Sequence, residues 1–263
     1  MPPLSVLYHA CRDGIAPEVL RLVKKEKKKG RLASFINQTG DNEGGFTCLL
    51  ASVRHGHLKV AEILLEKGGA DADRAASQAP FATPLVLASF HGSLPLAQCL
   101  VEKGGVDVNR AFAISGTTPL YMCSQKNFIN VAQYLLEKGA DVNQANNEGV
   151  TPLFVSSVTG HQDIVKLLLS SGAKVDQARN DSFTPLIMSC QEGHQEVVKL
   201  LLANGANVDQ VNDDGVTPLN ISSQEGHQEV VKLLLAKGAK VDQANNEGFT
   251  PLVASSRRDT EMW

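Results

Sequence analysis

Aromatic residues make up only 5% of this 263-residue chain, and Trp263 is its single tryptophan. A core built on large rings is excluded, so small and branched side chains must supply the buried volume. Neither sign of charge dominates: the net charge is −3, which argues against a general nucleic-acid binder. No run reaches the roughly eighteen consecutive apolar residues that a membrane-spanning helix needs. The opening MPPLSVLYHACRDG lacks the charged stretch and long apolar run of a secretory signal. The five cysteines, Cys11, Cys48, Cys99, Cys123 and Cys190, are odd in number and form no C-x-x-C pair. They read as small buried residues of a reducing compartment. The sequons at Asn37, Asn180 and Asn220 are then chance matches. The expected location is the cytoplasm, with the nucleus as the alternative, and no membrane insertion.

Chemistry-bearing motifs are missing too. There is no nucleophile elbow, no glycine-rich phosphate loop and no H-E-x-x-H. His161, His194 and His227 recur at one position of successive segments, with His57 earlier. Stacked helices lie about 8–10 Å apart, whereas zinc ligands converge at roughly 2 Å from one ion. One histidine per segment therefore closes no metal site. The expectation is a chain without catalytic residues, cofactor, metal or small-molecule substrate.

What the chain does have is repetition. QEGHQEVVKLLLA fills residues 191–203 and returns unchanged at 224–236. Thr-Pro-Leu recurs at Thr83, Thr118, Thr151, Thr184, Thr217 and Thr250, with Thr-Cys-Leu at Thr47; the spacings are 36, 35 and then 33. A fixed period means that each copy meets another copy as its neighbour. Within a unit, Thr caps a short helix and Pro takes its first position, where the lost N–H is free of cost. A glycine such as Gly193 stops that helix, and His194 opens a second, in which Lys199 alone is polar among Val197, Val198, Leu200, Leu201 and Leu202. A helix so apolar is buried on more than one side. Gly205 ends it, and ANVDQVNDDG has the composition of a turn-forming finger.

The recurring G-x-T-P-L, G-H, V-V-K-L-L-L and G-A-x-V-D/N, in register along nearly the whole chain, resemble the ankyrin repeat. The resemblance implies an all-α solenoid of helix-turn-helix units with β-hairpin-like fingers, elongated and curved. The units are expected as a divergent cap over 1–41, full repeats over 42–77, 78–112, 113–145, 146–178, 179–211 and 212–244, and a partial repeat over 245–263. The family usually has His after Thr-Pro-Leu, whereas this chain has Val86, Tyr121, Phe154, Ile187, Asn220 and Val253. The hydrogen bond lost there is expected to be replaced by the serine-rich stretches that follow. Extra residues in KGGADADRAASQ and KGGVDVNRAFA should bulge their fingers.

The resemblance also implies protein binding through finger tips and first helices, lining a concave groove. Carried over by position, the partner-binding candidates are Phe46, Arg54, His55, Phe90, His91, Lys126, Val150, Phe183, Glu192, Asp213, Asp214, Val216, Glu225 and Phe249. Ala82, Thr117, Gln125, Val158, Thr159, Gln191, Gln224, Arg257 and Arg258 hold the equivalent places. Phe183 and Phe249, with Val150 and Val216, would form an apolar row bordered by Glu148, Asp181, Asp213, Asp214 and Glu247. Residues 1–143 carry 16 Lys/Arg and 13 Asp/Glu, whereas residues 144–263 carry 9 and 15. A basic and aliphatic partner segment would suit the acidic half. The run KKEKKKGR at 24–31 reads as a solvated helix end, with a nuclear-import signal or a patch for an anionic surface as the alternatives. LLEKGADVN, ending at Asn143, resembles fingers that asparaginyl hydroxylases accept, so Asn143 is a candidate modification site. The expected function is a monomeric, non-enzymatic scaffold for a protein or extended peptide. The alternatives are a targeting or regulatory module of a larger enzyme or channel, which a half-unit ending slightly favours, and a nucleic-acid-associated regulator.

Overall fold

The computed structural model describes residues 4–39, 45–76 and 83–257. Sixteen helices and no strand form among them, and the chain divides into two compact units, 1–140 and 141–263. The first unit begins with α1 (Leu4–Arg12), α2 (Ala16–Lys28) and α3 (Leu32–Ile36). Three helix pairs follow: α4 (Cys48–Arg54) with α5 (Leu58–Glu66), α6 (Pro84–Phe90) with α7 (Leu94–Gly104), and α8 (Pro119–Gln125) with α9 (Ile129–Glu137). The second unit holds α10 (Pro152–Val158) with α11 (Gln162–Ser170), α12 (Pro185–Gln191) with α13 (Gln195–Ala203), α14 (Pro218–Gln224) with α15 (Gln228–Ala236), and α16 (Pro251–Arg257). Within each unit, first helices stack on first helices and second on second.

The period is written into the helix starts. Thr47, Thr83, Thr118, Thr151, Thr184 and Thr217 each accept, through Oγ1, the N–H three residues on at 3.0–3.3 Å. Each cap contributes about 1 kcal/mol. In the second helices Val197, Val198 and Leu201 are buried, and Lys199 stays exposed beside Glu196 at 2.6 Å. Stacking therefore consumes both flanks of such a helix, and truncating Leu201 to Ala would cost about 2–5 kcal/mol.

The turn between paired helices carries a second device. His194 Nε2–H donates to Val158 O at 2.9 Å, His227 Nε2–H to Gln191 O at 2.9 Å and His57 Nε2–H to Arg12 O at 2.8 Å. Each ring lies on the glycine of the preceding turn, so that a Cβ at Gly160 or Gly193 would stand 2.7 Å from it. These glycines also hold φ of +73° and +72°. Asn127, at φ 62°, takes the same role between α8 and α9, as Asn tolerates the left-handed region.

Two expectations change. The connector after α2 contains the helix α3, whose Ile36 is buried; the alternation of LASFI is too short to announce it. The fingers do close by hairpin-like turns, without a strand among the described residues, for example Asn146 N–H to Val150 O and Gly149 N–H to Asn146 O, both at 3.0 Å. The serines do not replace a bond between repeats. Ser52, Ser156, Ser189 and Ser222 each donate to the carbonyl three residues back in their own helix. Val86, Phe154 and Ile187 at the family's histidine position are simply buried. Asn220 does bridge, donating Nδ2–H to Phe249 O at 3.2 Å while completing a capping box with Thr217.

In the finger of KGGVDVNRAFA the extra length widens the turn, with Phe112 N–H bonded to Thr117 O at 2.9 Å. Phe112 is buried and Ile114 stands 75% exposed.

Candidate partner-binding surface

Surface for recognition is what stacking leaves over: the finger tips and the ends of the first helices. Neighbouring fingers are tied by a recurring side chain. Asn37 Oδ1 accepts from Asp71 N–H at 2.8 Å, Asn143 Oδ1 from Lys174 N–H at 2.8 Å, Asp176 from Asn207 N–H at 3.2 Å, and Asp209 from Lys240 N–H at 2.9 Å. Asn143 also donates Nδ2–H to Gly172 O at 3.3 Å, as Asn109 does to Gly139 O at 3.1 Å. The candidate modification site thus has both the oxygen and the nitrogen of its amide engaged with the next finger. The spacing of these residues was visible in the sequence; their bridging was not, because it depends on how adjacent fingers meet.

In the first unit the candidate residues divide by burial. Phe46 is 5% exposed and lies under the Arg54 guanidinium, 5.2 Å from its ring centre. It offers a partner almost no surface, which corrects its place among the partner-binding candidates. Arg54, His55, His91 and Lys126 are exposed, and Phe90 is half-buried with the Lys126 ammonium 5.0 Å from its ring centre. His91 meets the edge of Phe90 at 5.2 Å. Partial burial, then the nearby Arg54 and His55, hold His91 below the ordinary histidine range.

In the second unit Val150 is 7% exposed and is likewise removed from the row by packing. Phe183, Val216 and Phe249 are half-buried, each exposing part of an apolar side chain. Arg179, absent from the expected set, lies over Phe183 at 5.0 Å and over Phe154 at 5.6 Å. Asp181 holds it through a bond to Nε at 2.7 Å, and that bond pulls the Asp181 carboxyl below the usual carboxylate range. No sequence pattern marks Arg179, since the other fingers place Asn146, Asn212 and Asn245 there.

Adjacent tips join by Asn180 N–H to Glu148 O at 3.0 Å and Asn246 N–H to Asp214 O at 2.9 Å. A groove of about 440 Å³ between them is lined by Asn147, Glu148, Arg179, Asn180, Asp181 and Asp213. Asp213, Asp214 and Glu192 are exposed and Glu225 is half-buried. Ala82, Arg258 and the Arg257 side chain lie outside the described residues.

Reactive chemistry finds little to work with. The cysteines are buried. A hydrogen bond to Cys48, and then burial, push the Cys11 thiol up, and burial does the same to Cys99, Cys123 and Cys190. None of these four is poised as a thiolate nucleophile. Among the described residues, no three His, Cys, Asp or Glu gather to hold a metal ion. No described helix is long and apolar enough to cross a membrane. The basic run at 24–31 is exposed except for Glu26, which is buried and paired with Lys29 at 3.1 Å and Arg31 at 3.0 Å.

Comparison with known proteins agrees with this architecture. A search of curated proteins gives no match. A family model for ankyrin repeats in three copies matches residues 72–146, 140–212, 174–245 and 201–262, and a single-repeat model matches 44–76. With threonine-capped first helices, stacked helix pairs and bridged fingers in both units, the chain belongs to the ankyrin repeat family.

Proposed function

We propose that this chain is a non-enzymatic, monomeric scaffold that holds an extended protein segment along its finger tips and first-helix ends. Ankyrin repeats are in general protein–protein interaction modules. The observation carrying the finer reading is the half-exposed row Phe183, Val216 and Phe249, set beside the exposed carboxylates of Asp213 and Asp214. Aromatic and aliphatic groups that keep exposed area next to charge of one sign suit a partner with alternating aliphatic and basic residues. The reading places the protein in the cytoplasm or nucleus and assigns it no nucleic-acid partner.

The test uses the full chain and a rhodamine-labelled peptide of repeated Lys-Lys-Leu, followed by anisotropy. Phe249→Ala should weaken binding by about 1–3 kcal/mol with little change in melting temperature. Asp213→Asn with Asp214→Asn should slow association and flatten its salt dependence. Unchanged affinity in both variants would remove this surface from the reading.

A further inference from the structure

The residue eight places after each capping threonine changes sign along the chain. It is His55, His91 and Lys126 in the first unit, but Thr159, Glu192 and Glu225 in the second. The fold gathers the first three at the ends of α4, α6 and α8, which stack in that order. Arg54 joins them, lying over Phe46. Lys126 lies over Phe90, whose half-buried ring also meets His91.

Lys126 and His91 thus border the half-buried Phe90 ring, and Arg54 and His55 lie close enough to His91 to act on its charge. Among the described residues none of the four has a carboxylate within ion-pair distance. Asp13, whose carboxyl feels the charge of His55, is held by Arg12 at 2.8 Å. Around His91, α4 supplies Arg54 and His55 and α8 supplies Lys126, while the charged residues of α7, Glu102 and Lys103, stand at its far end. Among the described residues these groups gather without a paired carboxylate, and charging them together costs free energy in the unliganded protein.

We infer that the first unit docks an acidic protein segment, whose carboxylates neutralise Arg54, His91 and Lys126 while an apolar side chain covers Phe90. This rests on reading the first-helix ends as a partner face, but it concerns a different unit and the opposite charge from the row at Phe183–Phe249. The patch lies at the ends of three helices, α4, α6 and α8. It fits a short acidic segment better than a nucleic-acid backbone, which is tracked by longer basic grooves. A carboxylate placed among these groups favours the imidazolium of His91, so binding takes up a proton and strengthens as pH falls.

The experiment uses the full chain and a rhodamine-labelled peptide of repeated Glu-Glu-Leu at low salt, with Lys-Lys-Leu and oligodeoxythymidine as parallel probes. The acidic peptide should bind, weaken with salt, and tighten about fivefold between about pH 7.5 and 6. Arg54→Gln and Lys126→Gln should each weaken it about fivefold, and His91→Gln should flatten the pH profile. Thermal melts check that each variant folds. Indifference of the acidic peptide to all three substitutions overturns the inference, and so does tighter binding of oligodeoxythymidine through the same residues. The Lys-Lys-Leu probe with Phe249→Ala reports on the second unit alone, so the two surfaces fail separately.

Discussion

His227 lies flat on Gly193, with its Nε2–H bonded to Gln191 O at 2.9 Å. The contact joins the start of one second helix to the end of the preceding repeat's first helix, and it needs a glycine twice over. The φ of +72° disfavours any L side chain, and a Cβ would stand 2.7 Å from the ring. Gly205 has a φ of +85° but open space around its missing Cβ. Replacing Gly205 with Ala should cost about 1–2 kcal/mol, the strain of a left-handed residue. Gly193→Ala should cost clearly more, because the ring must also move. Equal losses in urea denaturation would show that the ring contact contributes nothing.

The histidines are structural on this account, which fixes what their removal does. His194→Ala should lower stability by about 1–2 kcal/mol, through the lost bond to Val158 O. Lys199→Ala, by contrast, should change it by less than about 0.5 kcal/mol, the scale of an exposed i,i+3 pair. Elemental analysis of the purified protein should find no stoichiometric zinc or iron, before or after the histidine change.

The finger bridge offers a pH test. Burial raises the Asp176 carboxyl above its usual range, only partly offset by the bond from Asn207 N–H. A carboxylate whose folded pKa is raised weakens the fold above that pKa, and the penalty disappears as pH falls below the unfolded value. Asn143 fills the equivalent position without charge and adds a donor to Gly172 O. Asp176→Asn should therefore stabilise the protein at neutral pH by about 0.5 kcal/mol, a figure held low by solvent screening. The advantage should shrink on acidification through the folded pKa, and melting curves across pH would check it.

Phe183 separates packing from recognition. Because Arg179 stacks over both Phe183 and Phe154, Phe183→Ala should lower the melting temperature as well as the affinity for the Lys-Lys-Leu peptide. Phe249→Ala should lower affinity alone. Lost stability with unchanged affinity at Phe183 would return that ring to the packing of its finger.

Much of the fold was legible because the determinants are local and repeated. Threonine before proline specifies a capped helix start, and the caps at Thr47 through Thr217 form as the sequence implies. The candidate surface was legible only as positions. Phe46 and Val150 share the register of Phe183 and Phe249, yet the first two are covered and the others half-open. Period and register say which way the backbone turns; how far a neighbouring side chain reaches over it depends on particular pairs, such as Arg54 on Phe46.

The repeated segment draws the line between the two kinds of information. Residues 191–203 and 224–236 are identical, and the sequence alone sets their helices, their caps and the inward face shared by Val197 and Val230, both 1% exposed. It cannot set the other flank. Leu202 is 8% exposed beneath α15, whereas its copy Leu235 is 43% exposed on a groove of about 910 Å³ shared with Leu219, Val231, Val241 and Leu252. Local sequence dictates dihedral angles and capping bonds, which act within a few residues. Burial is a property of what stacks next, so two identical helices part company wherever their neighbours differ.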